Sequence, residues 1–126
     1  MNKYLRNALA ALALVAAPVM AHHSAVQFDF GNTVLVTGLV KQARFANPHM
    51  HLVMEVTDDK RGTRDITYEG HSRNNMVRQG LTPDLFGVGD TITIRIAPMR
   101  NGDDGGYITA VKAPDGTEVG RVTGAD

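Results

Sequence analysis

Residues 49–59, HMHLVMEVTDD, alternate in character: Met50, Leu52, Met54 and Val56 interleave with His49, His51, Val53 and Glu55. Successive side chains on a strand point to opposite faces, so this period of two predicts a strand with one apolar and one more polar face. Residues 91–96, TITIRI, repeat the pattern with Ile92, Ile94 and Ile96 facing inward. These two stretches commit the chain to a β-rich fold.

The rest of the chain punctuates in the same sense. Residues 33–41, TVLVTGLVK, are rich in β-branched residues and predict a strand with a bend or bulge at Gly38. Asn47-Pro48 ends the following loop, since proline disfavours helix in the residue before it. A polar turn over 58–62 leads into a short third strand in RDITYEG. One helix is expected, in HSRNNMVRQG, with Ser72 as N-cap and Gly80 in the left-handed position after the last turn. A fifth strand lies around 107–112, followed by the tight turn Pro114-Asp115-Gly116. Three strands, a short helix and two strands is the order of a five-stranded OB-like barrel, with a small twisted α+β sheet as the alternative.

The N-terminus reads differently. Lys3 and Arg6 precede an apolar run over 8–17, Pro18 breaks it, and Val19-Met20-Ala21 fits a signal-peptidase site. That pattern predicts a cleaved secretory leader, 1–21, on a single domain, 22–126, and hence a periplasmic protein. The run is too short to span a bilayer, so no membrane insertion is expected after cleavage. The leader holds two of the 13 basic residues and none of the 13 acidic ones, leaving 11 against 13 in the exported chain. A charge of −2 offers no field for nucleic acid or an anionic membrane surface. There is no cysteine, so neither a disulfide nor a lipid-modified terminus is available.

Histidine carries the chemistry. Cleavage after Ala21 would make His22 the first residue, with His23 beside it, while His49 and His51 sit two apart on one strand. Such neighbours project the same way, about 6.6 Å apart along the strand. The freed α-amine and the imidazole ring of His22 can chelate one ion, since both deprotonate near neutrality. An all-nitrogen set suits copper first and nickel or zinc next. The expected metal ligands are therefore His22, His23, His49 and His51. His71 stands alone near the helix start, and Met50 and Met54 read as core filling.

Catalytic signatures are missing. The chain has no cysteine nucleophile and no Gly-x-Ser-x-Gly elbow, and neither GDDGG nor GNTVLVTG leads into a helix with a lysine in place. Glu55 and Glu69 have no identifiable partner, and Asp103 and Asp104 read as loop solubilisers. The chain is therefore not expected to be an enzyme. The reading is a carrier or buffer of a metal ion. Its competitor is a metal-free module that takes a small molecule or a protein on the barrel face.

Taken together, AHHSAVQFD, NPHMHLVMEV, YEGHSRNNMVRQGL, VGDTITIRIAPMRNG and APDGTEVG occur in that order. In this the chain resembles a family of small exported bacterial proteins of unknown function, marked by N-terminal His-His-Ser and central Asn-Pro-His. His22, His23, Ser24, Asn47, Pro48 and His49 match those markers. The resemblance implies a periplasmic, mostly β domain and carries no activity with it. The family often has tryptophan before Asn-Pro-His and ahead of the third-strand glutamate; Phe45 or Ala46 and Tyr68 hold those places here. A looser likeness, to small periplasmic copper chaperones built on an OB-type barrel, rests on element order alone.

Overall fold

The computed structural model describes residues 25–122. The expected leader and the His22-His23 pair lie outside them. The elements run β1 (Val34–Arg44), β2 (His51–Asp58), β3 (Gly62–Glu69), α1 (Arg73–Arg78), β4 (Thr91–Pro98), β5 (Gly106–Lys112) and β6 (Glu118–Val119). The alternation seen in the sequence sets the faces: Leu52, Met54 and Val56 of β2 and Ile92, Ile94 and Ile96 of β4 are buried, as is Met50. Their neighbours His51, Glu55, Thr91, Thr93 and Arg95 stand exposed or half-buried.

The sheet order is β3-β2-β1-β4-β5-β6, and a further pairing joins β3 to β5. That pairing is parallel and centred on Glu69 and Tyr107. Five strands thus close into a ring in the order β1-β2-β3-β5-β4, the OB-like arrangement expected from the element order. β6 was not expected; the Pro114-Asp115-Gly116 turn folds two residues back onto Val111 and Lys112, with Gly116 at φ 90°. Inside the ring lies one apolar cluster that includes Val40, Met50, Leu52, Met54, Ile94, Ile108 and Val111.

The helix closes one end of this core. Ser72 accepts a hydrogen bond from the Asn75 amide, and Gly80 takes φ 97° after the last turn. Met76 is its single buried residue. It packs so closely that a Cβ added to Gly70 would stand 2.5 Å from the Met76 methyl. Among the described residues no helix is long and apolar enough to cross a membrane.

Gly38 departs from expectation. The bulge in β1 falls between Val40 and Gln42, where the register to β2 shifts. Glycine is required at 38 for a different reason: a Cβ there would lie 2.5 Å from the Glu55 carbonyl oxygen and 3.1 Å from Val56 Cγ2. Backbone cannot yield as a side-chain tip can. Gly38→Ala is therefore expected to cost about 1–3 kcal/mol, the range for an overpacked core, in a urea unfolding titration. An unchanged midpoint would show that β1 and β2 can separate at little cost.

Asp104 also does more than solubilise its loop. Arg64 of β3 donates from Nε to Asp104 Oδ2 at 2.6 Å and from Nη2 to Oδ1 at 2.7 Å. Its Nη1 stands 2.7 Å from Asp58 Oδ2. One guanidinium so ties the turn between β2 and β3 to the loop between β4 and β5. Hydrogen bonds from the Arg61 amide and then from Arg64 hold the Asp58 carboxyl down at about 2. Arg64 likewise lowers that of Asp104. Carboxyls lowered by folding stabilise above their unfolded value of 3.8, and that contribution fades as pH falls from there toward the folded values. The urea midpoint should therefore drop between pH 4 and pH 2, and by less in Arg64→Gln, where the Arg61 amide still serves Asp58. Equal acid sensitivity in both proteins would remove the clamp as its cause.

Candidate functional site

The ladder between β2 and β3 pairs His51 with Glu69 at its open end. It does not stop there. Gly70 donates its amide to the Met50 carbonyl at 2.8 Å, Met50 donates to His71 at 2.9 Å, and Arg73 to Ala46 at 2.9 Å. Residues 49–51 are thereby held alongside 69–71. His49, which precedes β2, and His71, which follows β3, arrive at the same end of the ring.

A second segment reaches this end from the N-terminal side. Asp29 donates its amide to the Pro98 carbonyl and Arg100 donates to that of Gln27, both at 2.8 Å. Phe28 bridges to Met99. This pins Phe28 and Phe30 against Tyr107 of β5. The Phe28 and Tyr107 ring centres lie 5.4 Å apart and those of Phe30 and Tyr107 5.5 Å, while His71 stands edge-on to Tyr107 at 5.3 Å. Phe28 is buried, whereas Phe30 keeps 47 % of its surface exposed.

Between these side chains lies an open hollow of about 310 Å³, lined by Ala25, Phe28, Phe30, His49, His71 and Tyr107. Five rings and a methyl group make its wall. Burial first, and the charge of Glu69 second, push the Tyr107 hydroxyl pKa upward. On the far side of Phe30, His71 and Tyr107 a second, smaller hollow opens over Met76, Leu81, Ile108 and Val119.

His49 is oriented. Its Nδ1 lies 3.2 Å from the Gly70 carbonyl oxygen and 3.3 Å from Glu69 Oε1. A carbonyl only accepts, so Nδ1 carries the hydrogen and donates it. In the neutral ring Nε2 is then the nitrogen with a free lone pair. Metal-binding histidines are commonly held this way, with one ring nitrogen donating to a carboxylate or carbonyl and the other turned to the ion.

Of the expected ligands, His49 precedes β2 and His51 opens it, and they line different hollows. His51 is exposed and borders a depression with Gln27, Thr67, Glu69, Met99 and Asp104. Glu69, cross-strand from His51 and against His49, stands between them. The ring that shares a hollow with His49 is His71, which sequence reasoning had left unpartnered. Glu69 and the Phe28, Phe30 and Tyr107 cluster were also missed. Met50 and Met54 are core residues, as expected, and so is Met76. Among the described residues no group of three His, Cys, Asp or Glu side chains is placed to hold a metal ion.

Fold and site together define a small, mostly β domain whose five-stranded ring presents a histidine-bearing, aromatic-walled hollow at one end. The chain belongs to a family of unknown function, DUF6152, which matches residues 10–109. No curated protein and no solved structure matches it.

Proposed function

We propose that this is an exported, periplasmic metal-binding protein that carries or buffers copper, with nickel or zinc as weaker alternatives. The ion is held by His49 through Nε2, with His71 as the second ring and His22 and His23 as the terminal ligands. His51, across Glu69, serves a flanking role. The observation that supports this most is the His49 Nδ1 contact with Gly70 and Glu69, which leaves the lone pair to Nε2. Connectivity supports it too. Ala25 lines the hollow, and His23 is only two residues before it, so their Cα atoms are at most about 7 Å apart.

Nitrogen ligands without an anionic donor suit copper under the usual order of divalent affinities. The reading of carriage rather than turnover rests on a sequence without a cysteine nucleophile or a Gly-x-Ser-x-Gly elbow. A metal-free module is the second reading, favoured by the apolar character of the wall and by the adjoining hollow over Met76 and Leu81.

Two measurements test the proposal. Intact-mass analysis of the exported protein should place its start at His22. Copper should then bind that form one to one, and an extra alanine ahead of His22 should weaken binding at least tenfold, about 1.4 kcal/mol. A different start, or equal and weak binding by both forms, would leave the metal-free module as the better account.

A further inference from the structure

β1 changes neighbours partway along. From Val34 to Leu39 it pairs with β4, and from Leu39 to Arg44 with β2. β2 continues past that point, paired with β3 as far as Asp58. The ladder between β1 and β2 therefore ends near Gly38, their point of close approach. An open hollow of about 430 Å³ lies beyond it and shares no lining residue with the histidine hollow. We propose that this second hollow binds a small primary amine with an apolar body, a site independent of the copper reading. Its volume is within the range of small-molecule sites.

Val36, Val56, Ile66 and Ile96 give the hollow an apolar wall, and Tyr68 stands among them. Tyr68 is only 2 % exposed, yet no described residue hydrogen-bonds to its hydroxyl. A buried hydroxyl without a partner costs stability, and a ligand that supplies one recovers that cost. Burial first and the Asp104 charge second push the Tyr68 pKa up to about 12, with Arg64 opposing. The hydroxyl thus keeps its proton, lies in a net negative field and has lone pairs to offer. Charge selects the head group. Asp58, Asp103 and Asp104 line the hollow with Arg64, and Arg61 reaches Asp104 from outside, so three carboxylates against two guanidiniums leave one negative charge. Arg64 is not free for an anion: Nε and Nη2 go to Asp104, and Nη1 goes to the Gly62 carbonyl and Asp58. An ammonium group carries one positive charge, three donors and no acceptor, which answers the excess carboxylate and the Tyr68 oxygen together.

Three probes with one ring-and-arm body and different heads test this. Isotope-labelled purified protein is titrated with phenethylamine, phenethyl alcohol and hydrocinnamate, and binding is followed by amide chemical shifts. Phenethylamine should move the amides of β1, β2 and β3 that border the hollow and bind at least tenfold more tightly than the alcohol. Hydrocinnamate should give no saturable shift. Tyr68→Phe should weaken the amine at least tenfold while its urea midpoint stays unchanged or rises, because the substitution removes an unpaired polar group from the core. A hydroxyl kept for the fold alone would instead lower the midpoint and leave amine binding as it was. Either of those results overturns the proposal, as does equal or tighter binding of the alcohol or the acid, or amine shifts centred elsewhere. Failure of all three probes to bind overturns it too, and none of these outcomes touches the copper reading.

Discussion

His49→Ala is expected to lower copper affinity at least a hundredfold, about 2.7 kcal/mol, in a chelator-competition titration, while His51→Ala changes it less than threefold. The asymmetry is the informative part. The two residues stand two apart in the chain, and sequence spacing treats them as equals. Only His49 has Nδ1 held by the Gly70 carbonyl and the Glu69 carboxylate, and only His49 shares a hollow with a second imidazole. His71→Ala should resemble His49→Ala. Glu69→Gln keeps the shape but replaces the anionic acceptor, and a loss of 10- to 100-fold is the usual consequence of removing such an orienting partner. Comparable losses from His49→Ala and His51→Ala would return the site to the strand pair. No loss from either would remove β2 from the metal site.

Ile94→Ala should cost about 2–5 kcal/mol, the range for truncating a fully buried aliphatic side chain. Ile94 has no exposed surface and sits mid-strand in β4, opposite Val36 of β1 and Val111 of β5. It therefore packs where the two halves of the ring meet. A domain of this size is stable by only about 5–15 kcal/mol, so one such cavity removes a large share of the total. Urea unfolding should show a lower midpoint with an unchanged slope. A loss below about 1 kcal/mol would mean that the ring interior collapses around the gap, contrary to its closely packed core. The variant's copper affinity under native conditions should remain within threefold of the parent, because Ile94 lines neither the hollow nor its support.

The histidine side of the hollow is legible in the hairpin register. The turn between β2 and β3 centres on Lys60, and counting outward from it puts Asp58 opposite Gly62, His51 opposite Glu69 and His49 opposite His71. That count needs only the hairpin register. It was obscured because β2 and β3 stop before the two histidines, and what carries the pairing onward is a set of backbone bonds through Met50, Gly70 and His71. Phe28 and Phe30 left no such signal, because they stand in a turn-rich segment rather than in a strand. Their target, Tyr107, lies far along the chain, and no local pattern names it.

The sequence alone determined which residues face inward, where the helix begins and ends, and which turns interrupt the strands. Each of those follows from local rules: a period of two, a serine cap, a glycine that accepts positive φ. The order of elements was enough to anticipate a five-membered ring. Only the tertiary structure decided that β3 meets β5 at Glu69 and Tyr107, that Gly38 is a point of close approach rather than a bulge, and that His49 and His71 line one aromatic-walled hollow. These depend on how distant segments close on one another, and closure is set by the packing of the whole core rather than by any stretch within it.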